Sequence, residues 1–296
     1  MTAALDASRL GKRYGHKWAV AECTLAIPAG KVVGLVGPNG AGKTTLLELA
    51  VGLLRPDAGS ITVLGGRPGT SASQLARIGF VAQETPTYAG LSIRDHLWFG
   101  ARMNPGWDKA LADARIAKLG LDPRQKAGKL SGGQRAQLAL TLAVAKHPEL
   151  LLLDEPVASL DPLARREFLQ GLMEVVAEHG ASVILSSHLV ADLERVCDYL
   201  VVLVDSRVRV AGDIDNLLAS HHLLTGPRRA PDALPSDQNV ISESHTDKQS
   251  TFVVRAGGPI LDPSWSVEHL DLEDLVLAYM SHPVEQNHRP KLEVCS

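Results

Sequence analysis

Gly37-Pro38-Asn39-Gly40-Ala41-Gly42-Lys43-Thr44-Thr45 fits the pattern of a glycine, any four residues, then Gly-Lys and a hydroxyl residue. The apolar run Val32-Val33-Gly34-Leu35-Val36 ahead of it reads as a buried strand, and Leu46, Leu47, Leu49 and Ala50 behind it suit a helix. Between a strand and a helix, glycines let the backbone curl until successive N–H groups face one cavity. The helix adds its unpaired donors and the positive end of its dipole. Such a nest holds phosphate, with Lys43 as a point charge on the outer phosphates and the Thr44 hydroxyl as a ligand for Mg²⁺.

A phosphate loop of this kind needs a metal partner on a neighbouring strand. Leu150-Leu151-Leu152-Leu153 reads as a fully buried strand and ends in Asp154-Glu155. Asp154, at the strand tip, is placed to bind Mg²⁺ directly or through water beside Thr44. Glu155 would face the γ-phosphate and accept a proton from an attacking water.

With 296 residues, 45% of them hydrophobic, the chain can bury a substantial core. A net charge of −3 gives no basic field, which argues against nucleic acid as a partner. Cys23, Cys197 and Cys295 lie far apart without a Cys-x-x-Cys pair, which suits a reducing compartment. Cys295 is second from the end, so the prenylation pattern is absent. No apolar run approaches the roughly 20 residues of a membrane helix, and the start lacks a basic, then greasy signal segment. The expectation is a soluble intracellular protein.

Along the chain, 5–10 and 19–27 read as strands, and so do 60–64 and 78–82, the last ending at Gln83. Residues 84–129 turn helical, with Ser92 capping a helix through Met103 and Asp108 one through Leu119. Together with 132–146, whose Leu138, Leu142 and Ala145 share a face, they make a helical insertion over about 84–146. Pro162 opens a helix to Glu178 that buries Leu169, Leu172 and Val176. A strand at 182–186 precedes a helix to about Arg195, and Asp205-Ser206 turns a hairpin between 200–204 and 207–210. Alternating strands and helices predict a layered α/β domain over residues 1–212.

Residues 213–296 read as a separate extension. It has a short helix to about Ser220, a Pro-, Asp- and Ser-rich linker at about 226–240, a strand at 251–255 and a polar tail. Leu272, Leu275, Val276 and Tyr279 fall at helical spacing. His221, His222, His245, His269, His282 and His288 are spaced like no tight metal set.

Leu130-Ser131-Gly132-Gly133-Gln134 is the segment by which the chain resembles the nucleotide-binding subunits of ATP-binding cassette (ABC) transporters, whose signature it matches letter for letter. By average composition this string arises in fewer than about one unrelated chain per thousand. Ser131, Gly132 and Gly133 open a helix and so supply a second set of N–H donors. In the family that helix end meets the γ-phosphate of ATP held by a second ATPase subunit, identical or different, so each site is composite. The resemblance implies a phosphate-loop NTPase fold of the ABC type, with an antiparallel β subdomain, a helical insertion and a small α+β extension.

It also implies roles for single residues. Tyr14, in Lys12-Arg13-Tyr14-Gly15, matches the aromatic that stacks on adenine, and Gln83 the glutamine that reaches Mg²⁺ and the attacking water. Asp154 and Glu155 match the metal-binding and catalytic acids. Asp161, in Ser159-Leu160-Asp161, belongs to the loop that crosses the dimer seam, and His188 matches the histidine at the γ-phosphate. Val157 and Ser159 stand where many relatives carry Thr and Gly, and Asp205-Ser206-Arg207 replaces a more usual Gly-Arg turn.

The resemblance spans about residues 5–212, and the region beyond resembles, more weakly, extensions of drug-export and antibiotic-resistance members. It implies an ATPase that uses ATP and Mg²⁺ and drives a separate permease in export. Through that permease the subunit would sit on the inner face of the cell membrane, with no nucleic acid partner. Tyr88, Leu91, Trp98 and Phe99 are the candidate permease contacts. The alternative is a non-transport ABC ATPase with a regulatory role.

Overall fold

The apolar runs that show no polar alternation become central strands, because both faces of their sheet are covered. The computed structural model describes residues 3–85, 87–231 and 234–281. In chain order, β1 (Ala3–Tyr14), β2 (Lys17–Pro28) and β3 (Val32–Val36) lead to α1 (Lys43–Val51), followed by β4 (Ala58–Val63), α2 (Ala72–Ala76) and β5 (Ile78–Val81). The helices α3 (Ile93–Met103), α4 (Lys109–Lys118) and α5 (Gly132–Val144) come next, then β6 (Leu150–Leu153), α6 (Pro162–His179), β7 (Ser182–Ser187), α7 (Val190–Leu193), β8 (Tyr199–Val204) and β9 (Arg207–Asp213). The remainder is α8 (Ile214–Ser220), β10 (His221–Pro227), β11 (Gln238–His245), β12 (Gln249–Ala256), β13 (Ser266–His269) and α9 (Leu272–Ser281).

The central sheet has six strands in the order β5-β6-β7-β3-β8-β9. Its strands are parallel except β9, which returns antiparallel to β8 through Asp205 and Ser206, both at positive φ. One face, carrying Val33, Leu35, Leu152, Ile184 and Val201, packs on α1 and on the three-stranded antiparallel sheet β2-β1-β4. The opposite face, carrying Val32, Val36, Leu153, Leu185 and Val202, packs on α5, α6 and α9. The helical insertion has its own small core of Ile93, Ile116, Leu121 and Leu130. The layered α/β class read from the sequence is therefore present, with an antiparallel β subdomain and a helical insertion.

Several elements differ from the sequence expectation. β1 and β2 are longer than their apolar stretches, because the hairpin ladder continues through Arg13↔Trp18 and Tyr14↔Lys17. Ser92 and Asp108 do cap α3 and α4. The helix after β7 stops at Leu193 rather than about Arg195, since the chain turns there to tuck Leu193 and Cys197 over β3. A Cβ added at Gly34 would lie 3.1 Å from Leu193 and 3.3 Å from Cys197 Sγ.

The stretch expected as a linker at about 226–240 connects two strands of a four-stranded antiparallel sheet, β11-β12-β10-β13, and lends only its ends to them. Pro227 ends β10 and Gln238 begins β11. Leu224, Phe252, Val254 and Trp265 form a core on one side of this sheet. The polar tail, with His282, His288 and Cys295, lies outside the described residues.

His221 joins the extension's elements. It is fully buried, with Nδ1 2.7 Å from the Leu217 carbonyl of α8 and Nε2 2.9 Å from the Tyr279 hydroxyl of α9. A neutral ring protonated on Nδ1 donates to the carbonyl and accepts from the phenol. Burial pushes its pKa down to about 4 from 6.5. Between those values the unfolded chain takes up a proton that the fold refuses, so the stability is whole above about pH 6.5 and falls as pH drops toward 4. The loss should reach about 2 kcal/mol by pH 5. Thermal melts at pH 7 and pH 5 check this: His221→Gln should be less stable at pH 7 and lose part of the acid sensitivity, and an unchanged pH dependence contradicts it.

Candidate functional site

α1 is unlike the other long helices at its N-terminus. Ser92, Asp108, Ser131 and Asp161 cap α3, α4, α5 and α6 with side-chain oxygens, whereas α1 is preceded by Gly42 and has no side-chain cap. Its first-turn N–H groups are left for another acceptor. Gly42 is in the left-handed region at φ 105°, and an added Cβ would lie 2.0 Å from the Ala19 carbonyl oxygen, so the turn requires glycine.

The loop opens into a cavity of about 540 Å³ lined by Tyr14, Asn39, Lys43, Thr44, Gln83 and Glu155, with Gly40, Gly42, Thr45, Lys17 and Ala19 completing its wall. Gly37, Pro38 and Ala41 sit behind this lining. The Gly37 and Pro38 carbonyls accept from Lys43 Nζ at 2.8 and 3.4 Å, and Ala41 is buried. Tyr14 ends β1, half exposed in the cavity lining.

Lys43 and Glu155 are both almost completely enclosed. Lys43 Nζ lies 3.3 Å from Glu155 Oε1, and His188 Nδ1 lies 3.0 Å from Glu155 Oε2. The carboxylate thus stands between an ammonium and an imidazole, on the wall of the cavity. Glu155 itself has φ 43°, a left-handed backbone that a glutamate does not adopt without support.

Asp154 is buried beside it, with Oδ1 accepting from Ser186 Oγ at 2.8 Å. Its charge is felt across α1, where burial first and Asp154 second push the Glu48 carboxyl above its ordinary value. Thr44 and Gln83 line the cavity and Asp154 is buried next to Glu155, and their hydroxyl, amide carbonyl and carboxylate are oxygen donors of the types that a hard cation such as Mg²⁺ takes.

The signature segment does not line this cavity. Ser131 Oγ accepts from the Gln134 N–H at 3.2 Å while Gln134 Oε1 accepts from the Ser131 N–H at 2.9 Å, so these two residues satisfy each other. The Gly132 and Gly133 amides are the donors left at that helix end. Gly133 packs on Ala164, where an added Cβ would come within 2.8 Å, which sets α5 against the start of α6. Asp161 caps α6 through Leu163 and Ala164 N–H at 3.0 Å each. The chain therefore presents two groups of the expected residues, one around the cavity and one around the N-termini of α5 and α6. Sequence reasoning missed Lys17, Ala19 and Ser186. Only Lys17 carried a signal, as a cation opposite Tyr14 in the hairpin.

Residues 20–158 match the family model described as ABC transporter. Nod factor export ATP-binding protein I of Burkholderia orbicola (strain AU 1054) is 35% identical over 225 residues, covering 74% of this chain and 73% of that protein. The molybdenum import ATP-binding protein ModC of Aromatoleum aromaticum (strain DSM 19018 / LMG 30748 / EbN1) is 36% identical over 218 residues, 70% of this chain and 58% of that protein. A solved ATP-binding subunit of an ABC transporter superposes with a TM-score of 0.65 at 27% identity, covering 73% of this chain and 92% of that one.

Proposed function

This chain belongs to the ABC transporter family as an ATP-binding ATPase subunit, and from that premise we propose that it closes head to tail with a second ATPase subunit around two ATP, driving a separate membrane permease. The observation that carries the reading is the division of the site. The uncapped N-terminus of α1 lines the cavity, whereas the Gly132 and Gly133 amides at the start of α5 lie outside its lining, and in this reading they are left for a triphosphate held by another molecule.

In this reading Lys43 and the loop amides hold the phosphates, and Tyr14 stacks on adenine. Thr44, Gln83 and Asp154 would hold Mg²⁺, which would supply Lewis-acid neutralisation of charge at the outer phosphates. Glu155 accepts the proton of the attacking water, with His188 and Gln83 orienting the reactants. Ser131–Gln134 and Asp161 complete the partner's site. Closure favoured only by contacts to the γ-phosphate is lost once that phosphate is cleaved, which converts turnover into motion. Residues 1–212 are the ATPase unit, with its helical part over about 84–146, and 213–296 the extension.

Export is the direction this reading takes. Its support is that the chain spans 73% of the Nod factor export relative but 58% of the molybdenum import relative. A drug-export or antibiotic-resistance type is its narrower form, supported by the extension alone. Among the described residues no helix is long and apolar enough to cross a membrane. The reading gives the membrane span to the permease and seats this chain on its cytoplasmic face.

The permease contact is assigned to the insertion. Tyr88 and Trp98 are 68% and 59% exposed, Phe99 is half exposed, and Leu91 and Met103 are also uncovered. The loop before α3 is held by His96, which is buried and accepts the Tyr88 N–H at 3.0 Å while its other nitrogen faces the Ser92 carbonyl. Co-expression with the permease tests the assignment. Trp98→Asp with Phe99→Ser should release the permease on affinity capture while the melting temperature stays within a few degrees, as exposed substitutions cost about 0.5 kcal/mol or less each. Undiminished capture would remove this face from the reading.

A further inference from the structure

Ser186, Ser187 and His188 end β7 and follow it as three consecutive polar residues with three different partners. Ser187 serves the local turn, its Oγ accepting the Leu189 N–H at 3.0 Å. His188 reaches the Glu155 carboxylate. Ser186 is fully buried and touches both acids: its Oγ donates to Asp154 Oδ1 at 2.8 Å and accepts the Glu155 N–H at 2.8 Å. Since a hydroxyl has one proton, these two bonds set its rotor.

The sheet puts it there. β6 and β7 run parallel with Leu153 opposite Leu185, so Ser186 stands one step past the last β6 pair, where β6 gives way to Asp154-Glu155. On its other side Ser186 is opposite Leu35 of β3, one residue before the strand enters the phosphate loop. The Glu155 backbone at φ 43° has to be held by its surroundings, and the hydrogen bond from its N–H to Ser186 is fixed in the sheet's interior.

We propose that Ser186 is a positioning residue for ATP hydrolysis: it sets the rotation of the Asp154 carboxylate toward the cation and holds the backbone turn that aims the Glu155 carboxylate into the cavity. The proposal rests on the roles given above to Asp154 and Glu155. Ser186 is buried outside the cavity lining, with hydrogen bonds to Asp154 and Glu155, so its effect belongs to the chemical step and to metal use rather than to binding of nucleotide as such.

Ser186→Ala in the full chain tests it. Turnover should fall about 10- to 100-fold, the range for residues that orient ligating groups, with KM for ATP within about twofold. In a Glu155→Gln background, the Mg²⁺ concentration that half-enhances binding of a fluorescent ATP analogue should rise by about tenfold. Ser186→Thr keeps the hydroxyl and should restore both readouts. Values for Ser186→Ala within twofold of the parent on turnover and Mg²⁺ requirement overturn the proposal, as does a folded Ser186→Thr as impaired as the alanine variant. If Ser186→Ala fails to fold, Ser186→Cys decides, since a thiol keeps the shape but bonds weakly. Reduced turnover in the folded cysteine variant supports the proposal, and parental values overturn it. Normal hydrolysis by Glu155→Gln would instead remove the underlying site reading, a result distinct from an intact Ser186→Ala beside an inactive Glu155→Gln.

Discussion

Glu155→Gln should lower ATP turnover by about 100-fold or more, the range for removing a general base, while ATP affinity changes by no more than a few-fold. The substitution keeps the shape of the side chain and leaves an amide oxygen for Lys43, but it removes the negative charge that the 3.3 Å contact to Lys43 and the 3.0 Å contact to His188 surround. It also blocks the cleavage that would reopen a closed pair, so the variant should run as a dimer on gel filtration with Mg·ATP and as a monomer without nucleotide. Phosphate release and the elution position check the two halves of this expectation. Turnover at the parental rate would take the base assignment away from Glu155, and hydrolysis without any ATP-dependent dimer would take away the composite site.

Lys43→Ala should raise the Kd for ATP by about 10- to 100-fold. The ammonium supplies a charge-assisted hydrogen bond, worth roughly 1.5–3 kcal/mol when a charged partner is involved. The loop carbonyls of Gly37 and Pro38 already hold it in place at the cavity, so little ordering remains to oppose that gain. Removing it also leaves the nearly enclosed Glu155 carboxylate without its cation, which should lower the melting temperature modestly. Titration with a fluorescent ATP analogue measures the first effect. Parental affinity would show that the loop does not bind phosphate through this residue.

The parts of the fold that were readable from sequence are those where local chemistry and burial agree. Val32–Val36 and Leu150–Leu153 have no polar alternation because both sheet faces are covered, and the glycines between β3 and α1 are demanded by backbone approach, as at Gly42. The helix at Leu272, Leu275 and Val276 was readable for the same reason, since its spacing is its buried stripe. β10 was not, because it begins with His221-His222 and ends with Gly226-Pro227, and its strand character comes from the ladder to β12 rather than from its own residues.

For the site, Lys43, Thr44 and Asp154 were read from the chemistry of holding phosphate and metal, whereas Tyr14 was no more than an aromatic that could stack on a base until resemblance gave it that role, and Gln83 and His188 were placed only by resemblance. Nothing local marks them: a tyrosine at a hairpin end or a histidine after a strand has many other uses. Ser186 was invisible for a further reason. Its two partners lie just past the end of a neighbouring strand, and a serine inside Val183-Ile184-Leu185-Ser186-Ser187 reads as nothing more than a polar residue at a strand end.

The last helix among the described residues, α9, has a consequence for any shortened version of the protein. Leu272, Leu275 and Val276 share one core with Leu193, five residues past His188, and with Leu200 and Val202 of the central sheet. Cutting at residue 213 would therefore not trim off an appendage but unroof a greasy wall beside the nucleotide machinery, leaving a sticky stump in place of a free-standing motor.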